Sequence, residues 1–365
     1  MNDRTQNKIV AAVFLAIIYG ISLLCLFFPE GDISQSERRA LAAAPSFSWR
    51  KCESGVLFDE FDEYVTDRFP SRDFWRGVKA RFQTHILLSK ENDSLAIKDG
   101  CIAKIEHKTN ALSHKNAVDK IRKIYDAYLS NSRVFLSVIP DKNFFFARDF
   151  GYPSADYKAL VEVLTESLPE VEYIDIFDTL ALDDYYKTDT HWAQDKLGAT
   201  VDKLAAGMGF SDRLAREYEK RAVENFYGVY AGQSALSPEP DTIYYLTNET
   251  IGNCTARDLQ TGERFPVYDV SKAGGRDAYD VFLSGARGLI RIDNPAAQND
   301  DELIIFRDSF GSSISPLFIE AFRSVTLVDV RYIEPSALSE YIDFDDKDVL
   351  FLFSALLLGN SFSLK

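Results

Sequence analysis

From about residue 111 onward, short uninterrupted runs of Val, Ile, Leu and Phe alternate with stretches whose apolar residues recur at helical spacing. The runs are Val134–Ile139, Leu303–Phe306, Val325–Val330 and Val349–Phe353. Such runs are typical of strands that are buried on both faces of a parallel sheet. Amphipathic stretches such as residues 157–168 predict the helices that cover the sheet. The sequence therefore predicts an α/β fold, a three-layer sandwich with a mostly parallel sheet.

One stretch, from about residue 226 to residue 294, departs from this alternation. It is rich in Tyr, Gly, Thr and Asn, and it contains short candidate strands at Thr242–Leu246 and Phe265–Val270. We interpret it as a β-rich insertion or lid within a domain that spans residues 111–365.

The N-terminus contains a candidate membrane anchor. Residues Ile9 to Phe28 are uncharged and mostly apolar, with Arg4 and Lys8 before them and Pro29 after them. About 20 apolar residues are enough for a helix to cross the hydrocarbon core of a bilayer. The basic flank predicts that the short N-terminus is cytoplasmic and that the rest of the chain is extracytoplasmic. The alternative is a cleaved signal peptide, but the apolar run is long and no clear small-x-small cleavage site follows it.

Residues 1–29 are therefore predicted to form a cytoplasmic tail and a transmembrane helix, and residues 30–110 a stalk with a helical region. The set Phe74, Trp75, Val78, Phe82 and Ile86 recurs at helical spacing. A second helix, around residues 57–65, is expected before an interruption at residues 67–72. The arginines of that interruption, at positions 68 and 72, are expected to pair with neighbouring acids.

Charge and cysteine content exclude several classes of protein. The net charge is −15, and no basic cluster is interleaved with exposed aromatic residues, so a nucleic-acid partner is not expected. The cysteines Cys25, Cys52, Cys101 and Cys254 form no CxxC pattern, and we expect no metal site and no cofactor. Cys25 lies in the predicted anchor, and the sequence leaves open which of the other three could form a disulfide.

Two short motifs point to nucleophilic chemistry. The first is Asp189-Thr190-His191-Trp192, and the second is the Asp308-Ser309 pair, which follows an apolar strand and precedes a helix. An acid can orient the imidazole of His191, which can then accept the proton of Ser309. Taken alone, each Asp is better explained as a helix cap and Trp192 as a core residue. The two motifs together, each at the edge of an element, favour a Ser-His-Asp site.

Six segments, taken in order, resemble the DHHW proteins, which are relatives of the alginate O-acetyltransferases in the SGNH-hydrolase superfamily. The segments are Phe61 to Asp73, Ile139-Pro140-Asp141-Lys142-Asn143, Asp189-Thr190-His191-Trp192, Phe226-Tyr227-Gly228, Arg307-Asp308-Ser309-Phe310 and Val328-Asp329-Val330-Arg331-Tyr332. This resemblance implies a circularly permuted SGNH fold, because the Asp/His motif precedes the serine motif.

The resemblance also implies roles for individual residues. Ser309 matches the nucleophile, His191 the general base and Asp189 the orienting acid. Thr190 stands where the family name has a second histidine, a change that the acetyltransferase relatives also show. The glycine and asparagine of an SGNH oxyanion hole have no clear match. The candidates for the oxyanion hole or for substrate contacts are Lys142, Asn143, Trp192, Gly228 and Arg331.

The expected function is that of a membrane-anchored serine O-acetyltransferase that modifies hydroxyl groups of an exported or cell-wall polysaccharide. The expected partners are that polysaccharide and a multi-spanning membrane protein that supplies the acetyl group. Two alternatives remain open at this point. The same three residues would serve a carbohydrate esterase with water as the acceptor, and the fold alone would serve an envelope scaffold or a glycan-binding protein.

Overall fold

The computed structural model of this chain describes residues 3–27, 31–215 and 217–365. Contacts divide the chain into two units, one of Met1–Asp93 with Ala231–Ser237 and one of Ser94–Tyr230 with Pro238–Lys365. The domain limits expected near residues 30 and 111 concern functional regions rather than contact units, and they stay predictions.

The first unit begins with the apolar helix. Its helices are α1 (Asp3–Phe27), α2 (Trp49–Glu53), α3 (Val56–Asp67) and α4 (Arg72–Arg81), and its strands are β1 (Ile33–Ser34), β2 (Arg39–Ala40) and β3 (Glu91–Asn92). A π-helical segment, Phe82–Ile86, continues α4. The part of α1 from Asp3 to Cys25 is long and apolar enough to cross a membrane, and none of it is buried. The predicted end of the span at Phe28 and the following Pro29 lie outside the described residues.

Asp67, at the end of α3, is an ion-pairing centre of the first unit. Its carboxylate accepts hydrogen bonds from the Arg39 guanidinium (Nη1 to Oδ2, 2.8 Å) and from the backbone N–H of Ala42 (2.8 Å). The bond with Arg39 lowers the pKa of Asp67 to about 2. Arg72 also reaches Asp67, at 3.4 Å, and Arg68 pairs with Asp32 at 2.9 Å. The two arginines predicted to pair with neighbouring acids therefore do so.

From Ser94 onward, the described residues form eight α-helices and twelve strands. The helices are α5 (Ala111–Ile124), α6 (Lys142–Phe150), α7 (Tyr157–Ser167), α8 (Gly198–Met208), α9 (Val229–Ser234), α10 (Glu249–Asn253), α11 (Gly311–Ile314) and α12 (Ala355–Gly359). The strands are β4 (Leu95–Lys98), β5 (Cys101–Lys104), β6 (Arg133–Ile139), β7 (Glu172–Tyr173), β8 (Glu219–Phe226), β9 (Asp241–Thr247), β10 (Thr255–Asp258), β11 (Arg264–Pro266), β12 (Leu289–Asp293), β13 (Glu302–Arg307), β14 (Ser324–Val328) and β15 (Asp348–Ser354).

Eight of these strands form the central sheet, in the order β11-β10-β12-β14-β13-β15-β6-β7. The five strands from β14 to β7 are parallel to their neighbours, and β12, β10 and β11 are added antiparallel at one side. Strand β13, which directly precedes Asp308 and Ser309, lies between β14 and β15, so that both of its edges are hydrogen-bonded. A parallel strand at the centre of a sheet is a rigid support for a site at its carboxyl end.

Successive residues of the central strands belong to two different cores. In β13, Leu303 and Ile305 pack in one cluster with residues of α8, whereas Ile304 and Phe306 pack in another with residues of α5 and α7. Side chains alternate between the faces of a strand, so helices cover both faces of this sheet. The prediction of an α/β fold with a mostly parallel sheet is confirmed.

The insertion or lid at residues 226–294 stays a prediction, and its candidate strand at Thr242–Leu246 is present as β9. Strands β10, β11 and β12 lie within residues 226–294, and they extend the central sheet, whereas β8 and β9 form a separate hairpin. Asp189, which taken alone resembled a helix cap, does not cap a helix, because the next α-helix begins only at Gly198. The Asp189 carboxylate accepts the N–H of His191 two residues on, and this local bond holds the backbone in a turn instead of a helix.

Candidate active site

The strand-to-helix turn at Ser309 is fixed by the carboxylate that precedes it. Asp308 follows β13 and is 2% exposed. One of its oxygens accepts the N–H of Phe310 at 3.1 Å, and the other accepts the N–H of Ser354, at the end of the neighbouring strand β15, at 2.9 Å. The turn is therefore tied both to itself and to the adjacent strand, which holds Ser309 in one position.

Gly311 allows the chain to turn closely after Ser309. A Cβ atom added at Gly311 would lie 2.5 Å from Cβ of Arg307, closer than such atoms approach. Arg307 itself is 1% exposed, and its Nε and Nη2 atoms have no hydrogen-bond partner among the described residues. The guanidinium lies 3.5 Å from the carboxylate of Asp329. A buried cation therefore lies two positions before the serine, and burial lowers its pKa.

Asp189, His191 and Ser309 form a continuous chain of hydrogen bonds. Nε2 of His191 is 2.8 Å from Oγ of Ser309, and Nδ1 is 2.6 Å from Oδ1 of Asp189. Asp189 also accepts the N–H of His191 at 3.0 Å and, through Oδ2, the N–H of Val229 at 2.8 Å. These distances are those of a nucleophile, a base and an orienting acid within hydrogen-bond reach.

The environment of Asp189 keeps its carboxyl group ionised. Burial alone would raise its pKa, but the attraction and hydrogen bonds of His191, together with the N–H of Val229, hold the pKa well below the usual range. An ionised carboxylate only accepts hydrogen bonds, so Nδ1 of His191 must donate to it. In the neutral imidazole, Nε2 is then the acceptor that faces the hydroxyl of Ser309.

An aromatic wall supports the imidazole. The ring of Tyr279 is stacked on that of His191, with 3.9 Å between centroids, and Phe310 approaches the imidazole at 4.8 Å. The Tyr279 hydroxyl lies 2.9 Å from Oγ of Ser313, which also accepts the indole N–H of Trp192 at 2.9 Å. Trp192 is therefore buried and stabilises the segment that follows Ser309. Its indole ring has no exposed surface for a substrate.

The loop that carries Asp189 is organised around a buried ammonium group. Nζ of Lys142 lies 2.5–3.1 Å from four backbone carbonyl oxygens, and Lys142 is 1% exposed. The carbonyls belong to Ile102, Tyr186, Lys187 and Asp189. An ammonium group has three N–H donors, and these four carbonyl oxygens engage all of them. Lys142 therefore positions the loop, and its ammonium group has no donor left for a substrate.

A second carboxylate, that of Asp241, holds the same loop from β9. It accepts the N–H of Lys187 at 2.8 Å, and it accepts both the N–H and the hydroxyl of Thr188, at 2.7 and 2.6 Å. The Thr188 hydroxyl in turn accepts the N–H of Gly228 at 2.8 Å. Gly228 packs so closely that an added Cβ atom would lie 2.3 Å from Cβ of Asp189. The N–H of Gly228 is therefore used within the loop and not directed at an oxyanion.

The other two oxyanion candidates also have internal partners. The amide of Asn143 donates to the carbonyls of Glu106 and Pro153, at 2.9 and 3.2 Å. Arg331 donates to both oxygens of Asp329, at 2.8 and 2.6 Å. The backbone N–H of Ser309, by contrast, has no acceptor among the residues that the structure describes.

Tyr279, Ser313 and Asp241 were not among the residues singled out in the sequence. Each acts through a contact between distant segments, and nothing in its local pattern distinguishes it from neighbouring polar residues. All four cysteines are free thiols. Over residues 3–27, 31–215 and 217–365, no group of three or more His, Cys, Asp or Glu side chains is placed to hold a metal ion.

Comparison with known proteins supports the family resemblance. The family model described as DHHW protein matches residues 176–328, which include Asp189, His191 and Ser309. The resemblance to this family is therefore confirmed for that segment. The comparison with curated protein sequences found no match.

Two solved structures share the fold of this chain, and a third is similar to it at a lower score. A DHHW family protein from Eubacterium siraeum is 21% identical, with a TM-score of 0.60 over 75% of this chain and 94% of that chain. Bacillus cereus PatB1, in a structure with a sulfonyl adduct, is 20% identical, with a TM-score of 0.57 over 72% of this chain and 97% of that chain. The O-acetyltransferase domain of Pseudomonas putida AlgJ is 14% identical, with a TM-score of 0.43 over 73% of this chain and 90% of that chain.

Proposed function

We propose that this chain is an O-acetyltransferase that carries an acetyl group on Ser309 and transfers it to a hydroxyl group of an extracytoplasmic polysaccharide. The observation that carries the proposal is the hydrogen-bonded series from Asp189 through His191 to Ser309. The serine lies at the carboxyl end of a central parallel strand, where open α/β sheets bind their ligands.

In the first step, His191 removes the proton of Ser309 as Oγ attacks the carbonyl carbon of the acetyl donor. The tetrahedral intermediate collapses, the bond to the donor breaks, and the imidazolium returns the proton to the departing group. The backbone N–H of Ser309 is free to donate to the oxyanion, and such donors stabilise the charge that develops on the carbonyl oxygen. The product is an acetyl ester on Ser309.

In the second step, a sugar hydroxyl takes the place of the departing group. His191 accepts its proton as the oxygen attacks the acetyl-serine, and then protonates Oγ of Ser309 when the enzyme is released. The ionised Asp189 stabilises the imidazolium in both steps. With water in place of the sugar, the same sequence of steps would be an esterase reaction, and only the acceptor distinguishes the two.

The proposed location and partners rest on the sequence and on α1. The basic residues Arg4 and Lys8 before the apolar helix favour a cytoplasmic N-terminus and an extracytoplasmic site. The acetyl donor is proposed to be a multi-spanning membrane protein, and the acceptor an exported or cell-wall polysaccharide. Nucleic acid is not a proposed partner, because the net charge of −15 repels it.

The test uses the full chain in detergent, an acetyl ester as the donor and a panel of cell-wall and exopolysaccharide fragments. We expect acetylated fragments, detected by mass, in excess over free acetate. Free acetate alone would identify an esterase. The absence of both acetylated fragments and free acetate would favour the non-catalytic alternatives. Because the PatB1 structure carries a sulfonyl adduct, we also expect a sulfonyl fluoride to modify Ser309 and to block both reactions, and the variant Ser309→Ala to resist modification.

A further inference from the structure

Helix α4 and the π-helical segment that continues it expose an apolar face. Phe74, Trp75, Val78, Phe82 and Ile86 are each between 41% and 65% exposed. At 100° per residue these five side chains fall within about one third of the helix circumference. We call these five side chains the apolar stripe; it continues into Leu87 and Leu88, which are also exposed.

The opposite face of α4 packs against its own unit through small residues. Gly77 and Ala80 are buried, and an added Cβ atom at Gly77 would meet the carbonyl oxygen of Ala235 at 3.4 Å. Arg76 donates from this side to the carbonyls of Gly232 and Gln233, at 3.2 and 2.8 Å. A helix at the surface of a soluble domain normally buries its large apolar side chains. This helix presents them to its surroundings and buries the small ones.

Basic residues accompany the apolar face. The segment from Arg72 to Lys90 contains five Lys or Arg residues and one acidic residue, Asp73. Two of the five, Arg72 and Arg76, pair with Glu37 on the opposite side of the helix and do not count toward the charge at the apolar face. Lys79 and Arg81 lie on the two sides of the stripe, and both are exposed. Lys79 pairs with Asp93 at 2.7 Å, but both side chains are about half exposed, and such a pair contributes little. An apolar stripe with long basic side chains at its borders suits the anionic headgroups and the outer acyl chains of a bilayer.

Helix α3 provides a contrast within the same unit. It also exposes aromatic side chains, Phe58 and Phe61, but its twelve residues contain five acids and no Lys or Arg. Anionic lipid headgroups would repel α3 and attract α4. Of these two helices, only α4 combines exposed apolar residues with basic borders.

We propose that α4, its π-helical continuation and Leu87-Leu88 form an interfacial segment that lies in the headgroup region of the membrane spanned by α1. Residues 28–71 are all that separate α1 from α4 along the chain, so anchoring by α1 would tether α4 within reach of a bilayer surface. The inference rests on the proposed anchoring by α1, and it does not depend on the chemistry at Ser309.

The experiment follows the fluorescence of Trp75 in the full chain, reconstituted into vesicles of phosphatidylethanolamine and phosphatidylglycerol. Trp49→Phe leaves two indoles, Trp75 and the fully buried Trp192, and the double variant Trp49→Phe/Trp75→Phe gives the background from Trp192. Bromine placed near the carboxyl end of the acyl chains should quench Trp75 relative to the same chain in vesicles without bromine, because an interfacial helix buries its apolar face about 5–10 Å into the boundary between headgroups and acyl chains. An aqueous quencher should have little effect on it.

Matched variants separate insertion of α4 from simple proximity to the bilayer. Val78→Glu/Phe82→Glu places two charges in the apolar stripe and should abolish quenching by the brominated lipid. Phe58→Glu/Phe61→Glu makes the same change on α3 and should leave the quenching intact. Because all four side chains are exposed, thermal unfolding should change little in either variant.

The possible results separate the proposed interfacial position of α4 from the proposed membrane anchoring by α1. A chain that fails to float with the vesicles would contradict anchoring by α1. A chain that floats while Trp75 stays open to the aqueous quencher and insensitive to bromine would overturn the interfacial segment alone. Trp75 could also be shielded from the aqueous quencher without being quenched by brominated lipid, to an extent that rises with the protein-to-lipid ratio. That result would indicate a protein partner or a second copy on this face, and it would also overturn the lipid proposal.

Discussion

The phenol ring of Tyr279 lies flat against the imidazole of His191, with 3.9 Å between ring centroids and 9° between ring planes. Its hydroxyl group donates a hydrogen bond to Ser313, in helix α11, which follows the turn at Ser309. The tyrosine therefore connects His191 to the segment that carries Ser309. In the proposed mechanism the imidazole becomes cationic, and an adjacent π face stabilises that charged form.

Replacing Tyr279 should separate the contribution of the ring from that of the hydroxyl. Tyr279→Phe keeps the stacked ring and should retain activity within a few-fold. Tyr279→Leu removes the ring, and we expect kcat/KM to fall by about 10-fold, as the loss of a cation–π contact of about 1–2 kcal/mol implies. Steady-state kinetics of both variants measures the difference. Equal losses in the two would mean that only the bond to Ser313 matters.

Asp189→Asn tests the orientation of the imidazole. An amide can donate to Nδ1, which would place the proton of the imidazole on the nitrogen that should accept from Ser309. By analogy with serine proteases, kcat should fall by about 10⁴-fold. Pre-steady-state acetylation is the suitable assay, since it isolates the attack by Ser309. A loss of less than tenfold would show that His191 needs no ionised partner.

The positions of Ser309, His191 and Asp189 could be predicted because they depend on local order along the chain. An apolar strand followed by Asp-Ser and a helix start places Ser309 at the carboxyl edge of a sheet, whatever the details of packing. The Asp-x-His spacing likewise brings Asp189 and His191 together within one turn. The contact between His191 and Ser309 is not local, and its prediction rested on the occurrence of both motifs together and on the family resemblance.

The supporting residues could not be predicted in this way. Tyr279 is one of 18 tyrosines, and only the tertiary fold decides that it covers His191. Lys142 was a candidate for the oxyanion hole or for substrate contacts because it belongs to one of the segments that resemble the DHHW family, but its ammonium group donates to backbone carbonyls in the interior. The antiparallel strands β10 to β12 were also missed as parts of the sheet, since composition does not reveal which edge a short strand joins.

Lys142→Met should damage stability before it affects substrate binding. It removes the donor to four buried carbonyl oxygens, and the cost should be about 3 kcal/mol or more, because buried polar groups would be left unpaired. A fall in the thermal unfolding temperature, followed by circular dichroism, would report this loss. An unchanged unfolding temperature with a raised KM would instead assign Lys142 to the substrate.

Asp141 should make stability depend on pH below neutrality. Burial raises the pKa of its carboxyl group to about 6, although the Tyr157 hydroxyl donates to it at 2.8 Å. Because the folded pKa is above the unfolded value, this contribution is greatest below about pH 4 and is lost as the pH rises through 6. The full difference is about 3 kcal/mol.

Asp141→Asn cannot ionise, so it should flatten the change in unfolding free energy between about pH 4 and pH 6. Denaturant titrations at several pH values would follow it, with Asp178→Asn, at an exposed site, as the control. A pH profile identical to that of the unsubstituted chain would contradict a raised pKa at Asp141.

The central claim is that Ser309 carries the acetyl group. The most direct measurement is the intact mass of the chain after brief exposure to an acetyl ester, with peptide mapping of any modified residue. We predict a gain of one acetyl group on Ser309 that disappears when an acceptor sugar is added. Ser309→Ala should fold normally and gain nothing, and His191→Ala should acetylate only very slowly. Acetylation at another residue, or acetyl transfer by Ser309→Ala at the unsubstituted rate, would contradict the account.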